Sequence, residues 1–276
     1  MDALTKENLK VAVAQFPILF PRKAEDILEN MVRVERVVQT ITSQEKGIDL
    51  ILFCEECIDN LPMNLIPSIM TDDMLRQVEE FWRRMARVAG THLAAGHMGK
   101  QDGKWRNYAT CFTPEGEILA RYAKSHLYFS ERSFFEPGDD PAVFDFKGWK
   151  TSFIICADFG FPEFSRIQAA RGCELFLAPS SWIYPHDQLW ILSNRMRAAE
   201  NMAYLVSANH LGTLPEGPRK LGHSMAVNPA GEVIANLGLQ QDAYFTVNLC
   251  KEQVRRNREE LPWLQWTRPE LYKQLY

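Results

Sequence analysis

Three short segments of this chain put groups capable of acyl chemistry directly behind apolar runs. In Ile155-Cys156-Ala157-Asp158-Phe159-Gly160-Phe161-Pro162-Glu163 a β-branched run ends in a thiol, and a Pro-Glu pair then opens a helix. Open α/β folds collect reactive groups at strand C-termini, where loops leave backbone N–H groups free. A thiol at such a point is a nucleophile once it ionises. The spacing alone fits a buried structural cysteine equally well. In Ile51-Leu52-Phe53-Cys54-Glu55-Glu56 an apolar strand runs straight into carboxylates, a costly placement unless the acid has a partner or a task. In Arg121-Tyr122-Ala123-Lys124-Ser125-His126-Leu127 a lysine stands between apolar residues just past a strand end. Taken singly, Glu55 and Lys124 each read first as solvated surface.

The elements that must position these groups alternate between strand and helix. Val11 to Phe16 reads as a buried strand, and Ile27, Leu28, Met31, Val34, Val38 and Ile41 recur at helical spacing. Leu50 to Phe53 is a second strand, and Met74, Leu75, Val78, Phe81 and Met85 mark a second amphipathic helix. Leu93 to Gly96, Tyr108 to Phe112 and Ile118 to Tyr122 follow as strands, the last two joined by Pro114-Glu115-Gly116. Thr151 to Cys156, Glu174 to Ala178 and Tyr204 to Ala208 are further strands, with helices opening at Pro162 and spanning Leu189 to Met202. Met225 to Val227, Val233 to Ala235 and Tyr244 to Val247 read as late strands. No linker, low-complexity segment or repeat of 20–50 residues interrupts the 276 residues, so one domain over 1–276 is expected. The last stretch, 250–276, carries Trp263, Trp266 and Tyr272 around Pro262 and Pro269, and is expected to dock on a surface.

Composition narrows the partners. Hydrophobic residues make up 46% and charged residues 24%, enough for a sizeable core. A formal net charge of −4 offers no footprint for nucleic acid and no polybasic membrane patch, so a small molecule is the expected partner. The stretch Met1 to Asn8 is mixed in charge and no apolar run is long enough to span a bilayer, which points to the cytoplasm and to six reduced cysteines.

Together, in this order and at these separations, the three segments resemble the nitrilase (carbon–nitrogen hydrolase) superfamily. The likeness runs from end to end: Val13-Ala14-Gln15, Glu131 ahead of Phe135-Glu136-Pro137-Gly138-Asp139, Ala178-Pro179-Ser180-Ser181-Trp182, Arg197-Ala198-Ala199-Glu200-Asn201, Gly222-His223-Ser224 and Arg268-Pro269-Glu270-Leu271-Tyr272 all fall in place. The resemblance implies an α/β four-layer α-β-β-α sandwich, with two mixed sheets between helical layers, that forms a homodimer or a higher homo-oligomer through its helical faces. It also implies that Cys156 attacks a carbonyl carbon after Glu55 takes its proton. Lys124 and the Ala157 N–H would hold the oxyanion, and Glu131 would support the lysine. Trp182, Ser181 and His126 are expected to line the substrate pocket. Glu56 is the rival to Glu55, which is favoured because in the family the acid directly follows the residue capping the strand. Cys54 stands here in place of the usual proline.

Other signals carry less. Cys54-Glu55-Glu56-Cys57 has CxxC spacing but no second pair of ligands, so no metal is expected. Gly222-His223-Ser224-Met225-Ala226 lacks the second glycine of a serine-hydrolase elbow, and no phosphate-cradling glycine loop is present, so no cofactor is expected. True nitrilases resemble Cys-Trp-Glu after the nucleophile, whereas Ala157-Asp158 points to an amide. Members acting on N-carbamoyl amino acids or dicarboxylic acid monoamides often carry an arginine where this chain has Gly160. The expectation is therefore hydrolysis of a neutral carboxamide to a carboxylate and ammonia through a thioester, with N-carbamoyl hydrolysis as the alternative. Outside the class stand an acyltransferase and an inactive scaffold.

Overall fold

The computed structural model describes residues 6–213 and 219–275. The N-terminal stretch read above as mixed in charge lies, through residue 5, outside them. The first half runs β1 (Asn8–Gln15), α1 (Ala24–Gln44), β2 (Leu50–Leu52), α2 (Ile66–Ile69), α3 (Asp72–Ala89), β3 (His92–Gln101), β4 (Lys104–Phe112) and β5 (Ile118–Ala123). The second half runs β6 (Val143–Phe146), β7 (Trp149–Phe153), α4 (Pro162–Ala170), β8 (Leu175–Ser180), α5 (Asp187–Asn201), β9 (Tyr204–Asn209) and β10 (Leu211–Thr213). It continues through β11 (Arg219–Leu221), β12 (Met225–Val227), β13 (Val233–Asn236), β14 (Ala243–Cys250), α6 (Lys251–Glu260) and α7 (Pro269–Tyr272).

Two six-stranded mixed sheets form, ordered β14-β1-β2-β3-β4-β5 and β6-β7-β8-β9-β12-β13, with β10 and β11 as a separate pair. Read in that order, both sheets repeat one pattern: antiparallel, parallel, parallel, antiparallel, antiparallel. The layering follows from the period of two along each strand. In β8, Leu175 and Leu177 enter a core shared with the first sheet, while Phe176 and Ala178 face a second cluster with Trp190 and Ala198 of α5. The sheets therefore stack face to face, with helices on their outer sides, which is the expected four-layer sandwich.

The helices are built to lie on those sides. α1 buries Ile27, Met31, Val34, Val38 and Ile41 along one stripe. α3 buries Val78, Phe81, Trp82 and Met85; its start is capped by the Thr71 hydroxyl, which accepts from Met74 N at 3.2 Å, and its end by Gly90 in the left-handed region. The C-terminal stretch anchors through Val254, buried in α6, and through Arg258, which donates to the carbonyls of Cys173 and Met202. Trp263, Trp266 and Tyr272 stay exposed.

One boundary differs from the expected one. The strand predicted over Thr151 to Cys156 ends at Phe153, and Cys156 instead opens a 3₁₀ turn, Cys156–Gly160. The Asp158 carboxylate reaches back to Ile155 N at 2.9 Å, which draws the chain out of the sheet. Cys156 itself takes φ of 45°, a left-handed conformation rare for a residue with a side chain.

Candidate active site

Glu55 follows β2 at the point where a glycine opposite makes room for it. Gly96 in β3 donates its N–H to Cys54 O at 3.0 Å and accepts from Cys57 N at 3.1 Å. A methyl group at Gly96 would lie 2.8 Å from Glu56 N and 2.9 Å from Cys54 O, and nearer still to Glu55 Cα. Lys124 lies just past β5, held by its own N–H donating to Asn107 O and by Gly138 N donating to Lys124 O, both at 2.9 Å.

These backbones bring three charges into one buried cluster. Lys124 Nζ donates to Glu55 Oε1 at 2.7 Å and to Glu131 Oε2 and Oε1 at 2.8 and 2.9 Å. Asn107 Nδ2 bridges the same two carboxylates at 2.9 and 3.2 Å. Glu131 sits in the 3₁₀ turn Phe129–Ser133 and also accepts from Tyr128 N at 2.6 Å, so one carboxylate caps its own turn and braces the lysine. Burial raises the Glu55 carboxyl, but Lys124 and Asn107 outweigh it and hold the group below the usual carboxylate range. Burial works against the Lys124 ammonium, and the two carboxylates more than reverse it. Glu55 Oε2 is left without a hydrogen-bond partner.

Cys156 comes from the turn that follows β7 of the other sheet, and as a residue it is partly exposed although its sulfur is desolvated. Burial pushes Cys156 well above the ordinary thiol range, the Glu55 charge adds to this, and Lys124 opposes it. The backbone of Ser181 also favours the thiolate, and more weakly than Lys124. Asp158 ties this turn to the lysine segment: Oδ2 accepts from Tyr122 Oη at 2.8 Å as well as from Ile155 N, and Oδ1 accepts from His126 N at 3.0 Å. His126 Nδ1 lies 2.8 Å from the same Oδ1, and its ring stacks on Phe161 with centroids 3.8 Å apart. Trp182 donates Nε1 to Cys156 O at 3.3 Å.

The structure thus gathers Glu55, Lys124, Glu131, Cys156, Ser181 and Trp182, with Ala157 second in the thiol's turn. A helical turn leaves its first N–H groups without internal acceptors. Glu56 points elsewhere: it accepts from Asn60 Nδ2 at 2.9 Å. Burial and the charges of Glu55, Glu131 and Asp59 push its carboxyl well above the usual carboxylate range. Cys54 sits 3.6 Å from His210 Nδ1, and among the described residues no group of side chains could hold a metal.

Two residues here escaped the sequence reading. Asn107 sits in a strand with no signal beyond a polar group at a buried position. Lys220, in β11, is buried and donates Nζ to Ser181 Oγ at 2.5 Å.

Comparison with known proteins places this geometry. A family model described as carbon-nitrogen hydrolase matches residues 10–259, and the chain belongs to that family, within the nitrilase superfamily. Among curated relatives, a Pseudomonas protegens protein described as a hydrolase in the pqqF 5′ region is 30% identical over 274 residues, covering 98% of this chain and 92% of its own. The human omega-amidase NIT2 is 30% identical over 199 residues, 68% of this chain and 72% of its own. A double mutant of the amidase from Nesterenkonia sp. AN1, solved in complex with acrylamide, superposes with a TM-score of 0.85 at 25% identity, covering 98% of each chain. A mutant of that amidase with the acetamide moiety of fluoroacetamide added covalently at its active-site cysteine gives 0.84 at 26% identity, covering 97% of each chain.

Proposed function

We propose that this protein hydrolyses a carboxamide to a carboxylate and ammonia through a thioester on Cys156. The observation that carries the reading is the state of Glu55. One carboxylate oxygen is clamped by Lys124 and Asn107, and the other is buried, unbonded and electrostatically felt by the Cys156 thiol.

The resting thiol is neutral, since burial and the Glu55 charge both disfavour its anion. Ionisation is therefore coupled to proton transfer onto Glu55 Oε2 as the sulfur attacks the amide carbon. That removes the negative charge beside the sulfur at the moment a second one develops on the carbonyl oxygen. Lys124 and the Ala157 N–H stabilise that oxyanion. Collapse breaks the C–N bond, Glu55 returns its proton to the leaving nitrogen, and ammonia departs. Water then attacks the thioester with Glu55 again taking the proton, releasing the carboxylate and the Cys156 thiol. Trp182 and Ser181 border the acyl group in this reading. The names of the relatives favour amides over ureido substrates.

The chain is read as one unit over 1–276 with its C-terminal stretch docked by α6. α4 and α5, packed on each other, expose Ile167, Leu189, Leu192 and Met196, a face suited to a homodimer. Free thiols throughout the described residues and the absence there of a helix able to cross a membrane agree with a cytoplasmic setting.

Ammonia release is measured across carboxamides, ureido acids and nitriles, with intact-mass detection of the acyl-enzyme and hydroxylamine trapping. Release from amides alone, lost in Cys156→Ala, is expected. Turnover that persists in Cys156→Ala refutes the assignment, and product formed only with an added amine makes the protein an acyltransferase.

A further inference from the structure

The carboxylate read as the base is bracketed by two thiols that the proposed reaction leaves unused. Cys54 directly precedes Glu55, Cys57 follows it by two, and both are buried. The backbone holds the pair together. Gly96 donates to Cys54 O at 3.0 Å and accepts from Cys57 N at 3.1 Å, so one residue of β3 grips both ends of the segment. In a regular parallel ladder those two bonds reach residues two apart, and here they reach residues three apart. Glu55 and Glu56 fill the gap as a bulge, with Glu56 in the left-handed region at φ of 44°. After burial, each thiol is the strongest influence on the other. That is the placement a disulfide requires, with about 4.4–6.8 Å between Cα atoms.

The two thiols are not equivalent. Burial works against the Cys54 thiolate, but Cys57 and then His210 outweigh it and hold the group below the ordinary thiol range. His210 Nδ1 lies 3.6 Å from the Cys54 sulfur. Burial and then the Cys54 sulfur push Cys57 up. A thiolate beside a protonated thiol is a pair in which the first attacks a peroxide and the second resolves the product. Cys156, pushed up by burial and by Glu55, is the poorer target. His210 also couples the pair to the base, since its Nε2 contacts Glu55 O. On its other side its ring packs on Phe20, with centroids 6.4 Å apart, and Lys220 Nζ lies 5.6 Å from the Phe20 ring while bonding to Ser181 Oγ. Cys54 thus belongs to one continuous wall with the segment that borders Cys156. It keeps 4% of its surface and Cys57 keeps none, which admits only a small oxidant.

We infer that Cys54 and Cys57 form an oxidation site for small hydroperoxides, and that bridging them pulls Glu55 away from Lys124 and stops turnover. With hydrogen peroxide, the Cys54 thiolate attacks one oxygen and the O–O bond breaks. Hydroxide leaves, takes up the proton that Cys54 had released, and a sulfenic acid remains on Cys54. Cys57 then attacks that sulfur and gives its own proton to the departing oxygen. The S–O bond breaks, the disulfide forms and a second water leaves, so the two sulfurs lose two electrons and the peroxide gains them. A dithiol reductant reverses the bridge by exchange. Closing the ring draws the sulfurs from contact into a bond, and the turn has to follow. It has no space on the β3 side, where even a methyl group at Gly96 would lie 2.8 Å from Glu56 N. Glu55, which meets Lys124 at 2.7 Å, sits inside the ring and moves with it. The loss of turnover rests on the amidase reading; the bridge itself does not.

The test treats the purified protein with hydrogen peroxide and reads peptide masses and ammonia release from the best amide on the same samples. In wild type the peptide holding both cysteines is expected to lose two hydrogens. kcat/KM should fall by about 10²-fold, the cost of misplacing a reacting group by on the order of 1 Å. Dithiothreitol should restore both. Cys57→Ser and Cys57→Ala should keep their untreated kcat/KM and form no bridge, and dimedone should tag the sulfenic acid on Cys54 in each. Oxygen added at Cys156 with no bridged peptide, in a protein that turns over amides, overturns the oxidation site and leaves the amidase standing. A bridged peptide with unchanged kcat/KM overturns its hold on Glu55. A protein that forms the bridge but hydrolyses no amide before treatment refutes the amidase and keeps the oxidation site.

Discussion

Gly96→Ala isolates how closely the position of Glu55 is tied to rate. The substitution adds one methyl group in a strand, at a residue outside the left-handed region, so the effect is steric. The methyl carbon would meet Glu56 N at 2.8 Å and Cys54 O at 2.9 Å, whereas ordinary carbon contacts lie at about 3.5–4.0 Å. The atoms it meets are backbone, and Gly96 is tied to them by two hydrogen bonds, so the Glu55 segment has to move by on the order of 1 Å. Misplacing a reacting group by that much costs about 10²-fold. Overpacking costs about 1–3 kcal/mol of stability besides. The assay is kcat/KM on the best amide, with the unfolding midpoint measured on the same preparation. Gly160→Ala is the control, because a methyl group there meets nothing within 4 Å although the residue closes the thiol's own turn. Wild-type kcat/KM in a folded Gly96→Ala protein would refute the idea that this contact sets the base.

Lys124→Ala should abolish turnover and also destabilise the fold by about 3–5 kcal/mol, since it strands Glu55 and Glu131 as buried like charges; denaturant midpoints against Cys156→Ala measure the difference. Asp158→Ala removes the acceptor of four hydrogen-bond donors and should cost about 3 kcal/mol or more. Thiol alkylation of Cys156 should then lose its distinction from an ordinary partly exposed cysteine. Burial depresses His97 to about 4. Its folded value lies below the unfolded one, so the stability it contributes is full above about pH 6.5 and is lost as pH falls toward 4, by about 3 kcal/mol. Unfolding midpoints of wild type and His97→Gln should converge on acidification; parallel curves would contradict the shift.

Much of the site was legible because chemistry and backbone signals coincide in it. Cys156, Glu55 and Lys124 each follow an apolar run that could be read by period, and their order carried the resemblance. The glycine in Phe135-Glu136-Pro137-Gly138-Asp139 has a physical meaning only in three dimensions: a methyl group there would meet the Ala123 backbone that carries Lys124 into place. The exit of the chain before Cys156 was misjudged because Ile154 and Ile155 have strand propensity, while the Asp158 carboxylate, three residues on, decides the turn. Lys220 was invisible for a different reason. A lysine in Pro218-Arg219-Lys220-Leu221 reads as surface by composition, and only the packing of the β10–β11 pair against Ser181 and Phe20 buries it. Asn107 likewise looks like any polar residue until both carboxylates are found on its amide.

The matched pairing order of the two sheets has a consequence for how reactivity arises. Glu55, Lys124 and Glu131 all come from the chain before β6, whereas Cys156, Ser181 and Lys220 come from β7 onward. Neither portion contains both the proposed proton acceptor, Glu55, and the proposed nucleophile, Cys156. β14, last of the strands, crosses back to lie beside β1, so the late portion is stitched to the early one along eight residue pairs. Chemical competence is thus a property of the seam. The charges that act on the thiol come from Glu55, Lys124 and Glu131, so on the proposed mechanism the reactivity of Cys156 reports whether the two portions are in register.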